Sequence, residues 1–251
     1  MTYCVGILVR EGLVMIADTR TNAGLDNIAT FRKLHLFVRP GQAVLAIATA
    51  GNLAVSQSVL SLMNEGMPDP ETQKLQTLTD MPTMFQAAQF VGRAIREVHR
   101  TVGAQLEQAI PGAFDVSMLL GGQIKGGRLR LFMIYAAGNF IEATSDTPYL
   151  QIGEHKYGKP ILDRSVTDAT GVDEALKLGL ISMDSTIRSN LGVGLPIDLV
   201  LIRRDALTAE LSYRIEAAEP YFHDLRERWS AALRAAHKAI PPPPYGTTPP
   251  G

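Results

Sequence analysis

Residues 1–24 read MTYCVGILVREGLVMIADTRTNAG, and their pattern decides how the fold begins. Two apolar, β-prone runs occupy residues 3–9 and 13–17. The polar residues 10–12 between them include a glycine, which is typical of a tight turn. The stretch therefore predicts a β-hairpin at the start of the chain.

Thr2 lies directly before the first predicted strand. If Met1 is removed, this threonine carries both a hydroxyl nucleophile and a free α-amine. An ordinary α-amine has a pKa of about 8, so it can accept a proton near neutral pH. Because many chains begin with Met-Thr, this feature alone indicates little and needs support from the rest of the sequence.

The composition limits the classes of function that the chain can have. Its 251 residues, 46% of them hydrophobic, are enough for one large domain with a substantial core. With 24 basic and 25 acidic residues the net charge is −1, so we expect neither nucleic acid nor a membrane as partner. The single cysteine, Cys4, and the lack of a signal-peptide pattern suit a soluble cytoplasmic protein.

The remaining pattern alternates strand runs with pairs of helices. Strands are predicted at 33–39, 44–48, 114–123, 129–136, 139–143, 149–152, 197–203 and 209–215, helices at 53–64, 83–108, 158–164, 171–190 and 219–239, and a loop at Asn22-Ala23-Gly24. This order predicts an α+β fold in which two antiparallel sheets are flanked by helices, a four-layer αββα sandwich. We expect one domain over residues 1–240, followed by a Pro-rich tail over 241–251.

Three further residues are candidate partners of Thr2. If the first three strands are neighbours in one sheet, Asp18 and Lys33 lie at the same end of it as Thr2. The lysine charge would lower the pKa of nearby acidic groups, and a carboxylate beside the lysine would compensate its burial. Gly51 follows a buried strand and precedes a helix, so its backbone N–H is a candidate oxyanion donor.

These residues make the chain resemble the proteasome-type N-terminal nucleophile hydrolases, including the bacterial HslV peptidase. The resemblance covers nearly the whole chain and rests on Thr2, residues 18–21 (Asp-Thr-Arg-Thr), Lys33, and Gly51 before a helix. Within this group the chain is most similar to the bacterial Anbu proteins. The resemblance implies that Thr2 is the nucleophile, that Asp18 and Lys33 are its electrostatic partners, and that Gly51 supplies the oxyanion donor.

A second cluster also matches HslV-like sequences. Asp184 stands five residues before Ser189, which Asn190 follows. The resemblance implies that Asp184 and Ser189 orient the α-amine of the nucleophile, although both could instead cap a helix end. It also implies a sodium ion held by backbone carbonyls near Met183, Thr186 and Ser189. We expect no other cofactor and no side-chain metal site.

One stretch departs from the family pattern. Proteasomal subunits have Gly-Ser-Gly near the middle of the chain, where this sequence has Gly153-Glu154-His155. Glu154 thus replaces the serine, and we predict that it contacts substrate or acts as an acid–base group. The resemblance further implies that Thr49 and Leu53 line a side-chain pocket that prefers small apolar groups.

The leading functional hypothesis is an N-terminal threonine peptidase, an amide hydrolase that forms an acyl-enzyme on Thr2 after removal of Met1. Two alternatives stay open because of Glu154: a non-peptide amidase, and a weakly active or inactive proteasome-like scaffold. By resemblance we expect self-assembly into a ring or spiral of identical subunits. An unfoldase partner would suit this family, but the sequence does not identify one.

Overall fold

The computed structural model describes residues 1–22 and 28–245. The predicted loop residues Ala23-Gly24 and the tail beyond residue 245 lie outside this part of the chain. The chain divides into two compact units, Met1–Ala217 and Ala218–Gly251. The prediction of one domain over residues 1–240 stays a prediction.

The predicted strands and helices of the first unit are present, with small differences at their ends. The strands are β1 (Tyr3–Leu8), β2 (Gly12–Asp18), β3 (Arg20–Asn22), β4 (Ile28–Thr30), β5 (Leu34–Arg39), β6 (Ala43–Gly51), β7 (Met67–Pro68), β8 (Leu75–Gln76), β9 (Val116–Ile124), β10 (Arg130–Ile134), β11 (Phe140–Glu142), β12 (Tyr149–Gly153), β13 (Ile197–Arg203) and β14 (Leu211–Ile215). The helices are α1 (Leu53–Glu65), α2 (Met84–Val98), α3 (Ala104–Ala109), α4 (Lys159–Ser165) and α5 (Val172–Ser189).

Two five-stranded sheets form the centre of this unit. The first has the strand order β12-β1-β2-β13-β14 and the second the order β11-β10-β9-β6-β5. Neighbouring strands in both sheets are antiparallel; in the N-terminal hairpin, for example, Cys4 pairs with Ala17. The small pairs β3-β4 and β7-β8 lie apart from them.

The alternation of side chains along β6 explains the layers. Leu45 and Ile47 belong to a core shared with α1 and α2, whereas Val44 and Ala46 belong to a core between the two sheets. On the far side, α5 approaches the first sheet so closely that a Cβ atom on Gly179 would lie 2.7 Å from Ile16. The order helix, sheet, sheet, helix confirms the predicted four-layer sandwich.

One expectation about the sheets is wrong. β5 does not join the N-terminal hairpin but lies at the edge of the second sheet, paired with β6 through Leu34 and Ala48. The reason is that β5 and β6 are joined by a short turn, which makes them a hairpin of their own. Lys33 therefore reaches the hairpin from the opposite sheet.

The helix predicted over 83–108 is interrupted. A π-helical segment, His99–Gly103, separates α2 from α3. There the His99 ring packs edge-on against Phe114, with ring centroids 4.8 Å apart, and lies where a Cβ atom on Gly103 would clash. This packing between helix and loop is not visible in the apolar periodicity.

The second unit contains helix α6 (Pro220–Ala239). The Glu219 carboxylate accepts hydrogen bonds from the N–H groups of Tyr221 and Phe222 and so caps the first turn. Within the described residues, no helix is long and apolar enough to cross a membrane.

Substitution of Ile47 by alanine should lower the free energy of unfolding by about 2–5 kcal/mol, because the side chain is fully buried between the second sheet and its helices. Urea unfolding of the purified protein measures this change. Leu75→Ala is the control, since Leu75 is 70% exposed and its loss should cost under about 0.5 kcal/mol. Equal losses in the two variants would contradict this account of the core.

Candidate active site

A buried ion pair lies at the start of the N-terminal strand. Lys33 Nζ is 2.8 Å from Asp18 Oδ1, and both side chains are almost fully buried. The ammonium group also donates to the carbonyl oxygen of Arg20 at 2.6 Å and to that of Met1 at 3.5 Å. The lysine charge is therefore held directly beside the Met1–Thr2 peptide bond.

Backbone N–H groups hold the Asp18 carboxylate from the other sides. Tyr3 N donates to Oδ1 at 3.0 Å, while Arg20 N and Gly194 N donate to Oδ2 at 3.1 and 3.4 Å. Burial raises the pKa of Asp18, and the charge of Lys33 together with these donors opposes that rise. With its lone pairs satisfied in this way, the carboxylate can stay ionised opposite Lys33.

The strand β12 fixes the backbone of Thr2. Glu154 N donates to Thr2 O at 2.7 Å, directly after the pairing of Tyr3 with Gly153. Gly153 has φ of +78°, and a Cβ atom on it would lie 2.1 Å from Thr2 O. Only glycine permits this close approach, so the sequence Gly153-Glu154 places Thr2 at the end of the sheet.

The backbone of Gly51 faces the same region. Asn52 N donates to Asp115 O on the β9 side, whereas Thr49 N donates to Lys33 O on the β5 side. Because N–H directions alternate along a strand, Gly51 N–H points to the β5 side, one step beyond the end of that strand. Gly51 has φ of +100°, and a Cβ atom there would lie 2.3 Å from Asp115 O.

These groups surround a cavity of about 650 Å³. Its lining includes the predicted residues Thr2, Lys33, Thr49, Gly51, Leu53 and Glu154, together with Met1, Thr21, Ala50, Asn52, Ser56, Asp115 and Gly153. Asp18 lies behind the lining and reaches the cavity through Lys33. Six of the nine predicted site residues thus share one cavity, and a seventh supports it.

Glu154 is held from the α5 end of the site. Asn190 Nδ2 donates to its Oε2 at 3.2 Å, and Lys156 Nζ lies 3.6 Å from its Oε1. Asn190 Oδ1 in turn accepts from Gly192 N at 2.9 Å. A Cβ atom on Gly192 would lie 2.6 Å from Met1 Cβ, so this loop contacts the first residue of the chain.

Asp184 and Ser189 take other positions. Asp184 is fully buried on α5 and accepts from Arg188 Nε at 3.1 Å, whereas Ser189 is exposed at the end of that helix. Within residues 1–22 and 28–245, the lining of the cavity includes neither of them. Their role toward the α-amine stays a prediction, and it is the next residue, Asn190, that reaches the cavity wall by bonding to Glu154.

The predicted sodium ion also stays a prediction. Met183 lies inside α5, and Thr186 O accepts the last helical hydrogen bond from Asn190 N at 2.9 Å. An ion would have to share the Thr186 carbonyl oxygen with this hydrogen bond, and we derive no chemistry from it. Among the described residues, no group of three or more His, Cys, Asp or Glu side chains could hold a metal ion.

A buried polar network around the Tyr3 hydroxyl was not predicted from the sequence. The Tyr3 hydroxyl lies 3.0 Å from Ser182 Oγ and accepts from Gln151 Nε2 at 2.6 Å. Burial raises the pKa of the Tyr3 phenol. Gly158 leaves room for the hydroxyl, since its Cβ atom would lie 2.4 Å away. The polar residues among the apolar positions of α5, Ser182 included, are the one signal that the sequence offers.

Two antiparallel sheets between helical layers, with a threonine beside a buried lysine–carboxylate pair at the first strand, define a proteasome-like hydrolase fold of the N-terminal nucleophile type. A family model described as "Proteasome subunit" matches residues 2–202.

Solved structures of Anbu proteins match the chain over nearly its full length. A Gly-1 mutant of Anbu from Hyphomicrobium sp. strain MC1 is 49% identical, with a TM-score of 0.88, and the match covers 96% of this chain and 99% of that chain. Anbu from Yersinia bercovieri is 47% identical, with a TM-score of 0.88, over 97% and 100%. The Anbu complex from Pseudomonas aeruginosa, solved as a helical assembly, is 45% identical, with a TM-score of 0.89, over 97% and 98%. The chain therefore belongs to the proteasome family, and within it to the Anbu proteins.

Replacing Lys33 by methionine should lower the free energy of unfolding by about 3–5 kcal/mol, because it leaves the buried Asp18 charge without its partner. The double variant Asp18→Asn/Lys33→Met should recover much of this loss, since neither charge then remains. Urea titrations of the two variants and the wild type measure the difference. A double variant no more stable than Lys33→Met would contradict the ion-pair account.

Proposed function

We propose that the protein is an N-terminal threonine peptidase that hydrolyses amide bonds after removal of Met1. The observation that carries this proposal is the position of Thr2, which lines a cavity of about 650 Å³ beside the buried Lys33–Asp18 pair. Membership in the proteasome family supports a hydrolase of this type.

The chemistry begins when loss of Met1 frees the Thr2 amine. The Met1 carbonyl lies 3.5 Å from Lys33 Nζ, so the new amine is released next to the lysine. Thr2 Oγ attacks the substrate carbonyl carbon, and the α-amine accepts the hydroxyl proton. The carbon–nitrogen bond of the substrate then breaks, the leaving amine takes up that proton, and an ester remains on Thr2. Water hydrolyses this ester and regenerates the hydroxyl.

Two positive features would stabilise the transition state. Gly51 lines the cavity and its N–H lies on the β5 side, so in this proposal it donates to the oxyanion of the tetrahedral intermediate. The Lys33 ammonium group favours ionisation of the Thr2 hydroxyl, while Asp18 keeps that lysine in place. Both groups are fixed by the fold before substrate binds, which reduces the cost of reorganisation.

We expect a preference for substrates with small side chains, and the residues on the cavity wall support it. Thr49 and Leu53 lie on its wall, and Ser56 and Thr21 add two further hydroxyl groups. The site therefore suits small apolar or hydroxyl-bearing side chains better than large aromatic ones. Glu154 also lines the cavity, and its negative charge would disfavour the binding of acidic side chains.

Self-assembly and a cytoplasmic location complete the proposal. The Anbu complex from Pseudomonas aeruginosa forms a helical assembly, which supports a ring or spiral of identical subunits for this chain. The edge strand β5 leaves Leu36 and Val38 partly exposed, and we propose this edge as one subunit contact. Cys4 is free and buried, as suits a reducing compartment. An unfoldase partner stays an open expectation.

A peptide electrophile that acylates hydroxyl groups should label the processed protein on Thr2, and intact mass spectrometry with peptide mapping measures the adduct. Thr2→Ala should give no adduct, because the nucleophile is absent. Thr208→Ala is the matched control and should be labelled like wild type, since Thr208 is an exposed turn residue. Protein that retains Met1 should not react. An unlabelled Thr2 with a free amine would favour the scaffold alternative.

Digestion of a peptide library should show cleavage after small side chains, with larger residues accepted more readily by Leu53→Ala. The substitution removes an aliphatic group from the cavity wall and so enlarges the pocket. Mass spectrometry of the products measures this shift. Hydrolysis of simple acyl amides together with intact library peptides would identify the protein as a non-peptide amidase instead.

A further inference from the structure

Glu154 is a buried carboxylate with incomplete compensation of its charge. Its side chain is 8% exposed, and the Asn190 amide donates to it at 3.2 Å. Lys156 Nζ lies 3.6 Å from the other carboxylate oxygen, on a side chain that is 70% exposed. A buried carboxylate is costly unless a cation or several donors satisfy it, so this position favours an additional positive group.

The fold places such a group opposite Glu154. The register that pairs Tyr3 with Gly153 continues to Thr2 and Glu154, since Glu154 N donates to Thr2 O at 2.7 Å. The regular strand ends at Gly153, which has φ of +78°, so this hydrogen bond is what holds Glu154 next to Thr2. Both residues also line the same cavity. The loop of Asn190 and Gly192, which holds the carboxylate, also contacts Met1, the residue whose removal frees the Thr2 amine.

We propose that Glu154 is the counter-ion of the α-ammonium group exposed at Thr2 when Met1 is removed. It is a positioning residue, because it acts through the α-amine and not on the substrate. The Asn190 amide holds the carboxylate in place by donating a hydrogen bond to Oε2. The inference rests on the proposed function in one respect, that the chain is processed to Thr2.

The expected direction of the shift in the α-amine pKa follows from the charged groups near Thr2. Asp18 and Glu154 favour the ammonium form of the amine, and Asp115 on the far cavity wall acts in the same direction. Lys33 disfavours the ammonium form. Lys156 and Arg20 also disfavour it, more weakly, because Lys156 is mostly exposed and the guanidinium group of Arg20 donates to Leu191 O. Glu154 lines the cavity together with Thr2 and is not paired with a buried lysine as Asp18 is, so Glu154→Gln removes a nearby negative charge without disrupting the Lys33–Asp18 pair.

The pH dependence of α-amine modification tests the proposal directly. Protein shown by mass to begin at Thr2 is reductively methylated with formaldehyde and cyanoborohydride from about pH 5 to about pH 10, a range that brackets an ordinary α-amine pKa of about 8. Mass spectrometry of the N-terminal peptide measures the extent of α-amine methylation at each pH. The inflection of this curve gives the pKa of the amine. Glu154→Gln should lower the amine pKa by about one unit or more. Glu65→Gln, a matched change at an exposed residue on α1, should leave it unchanged.

A second variant predicts the opposite shift. Lys156→Met removes a cation that competes for Glu154, so the amine pKa should rise. Because Lys156 is exposed, this variant keeps the test valid if Glu154→Gln does not fold. An amine pKa in Glu154→Gln equal to that of the wild type would overturn the proposal. No upward shift in Lys156→Met would also count against it.

The failure of this inference can be distinguished from failure of the proposed function. Methylation reports on the amine whether or not Thr2 Oγ attacks a carbonyl. A shifted amine pKa without electrophile labelling of Thr2 would support the counter-ion and reject the peptidase. Labelling with an unshifted amine pKa would support the peptidase and reject the counter-ion.

Discussion

The site depends on one buried ion pair. Removing Lys33 and Asp18 from water is costly, and the cost is offset only because each atom of the pair has well-placed partners. Asp18 accepts hydrogen bonds from the N–H groups of Tyr3 and Gly194, and Lys33 donates one to the carbonyl oxygen of Arg20. The start of β1, the end of β2, the loop after α5 and the start of β5 are therefore tied to a single pair of charges. The residues on either side of Thr2, Met1 and Tyr3, both bond to this pair.

Glycine at two positions lets backbone segments on the cavity wall approach each other closely. Gly153 permits β12 to hold Thr2 O through Glu154 N, and Gly51 permits β6 to turn against Asp115 into α1. Both have positive φ values, where other residues are strained. Gly153 thus fixes the backbone of the proposed nucleophile, and Gly51 turns the chain from β6 into α1 at the wall of the same cavity.

Local pattern was enough for the elements and for much of the site. The hairpin of β1 and β2, the helices α1 and α5 and the four-layer order follow from apolar periodicity and turn residues. Thr2, Lys33 and Gly51 could be predicted because they stand where strands begin or end. The sheet to which β5 belongs could not, since edge pairing depends on contacts between residues far apart in the chain. The contact of Asn190 with Glu154 joins residues 36 positions apart and has no local signal.

The sequence by itself determined the fold class, the order of elements and the identity of the chemical groups, because these depend on side-chain periodicity and on chain position. Only the tertiary structure decided which groups meet. It brought Lys33 from the second sheet to Asp18 in the first, left Ser189 exposed at the end of its helix, and set Glu154 opposite Thr2. The physical reason is that burial and charge compensation are properties of surroundings assembled from distant segments, and no short stretch of sequence contains those surroundings.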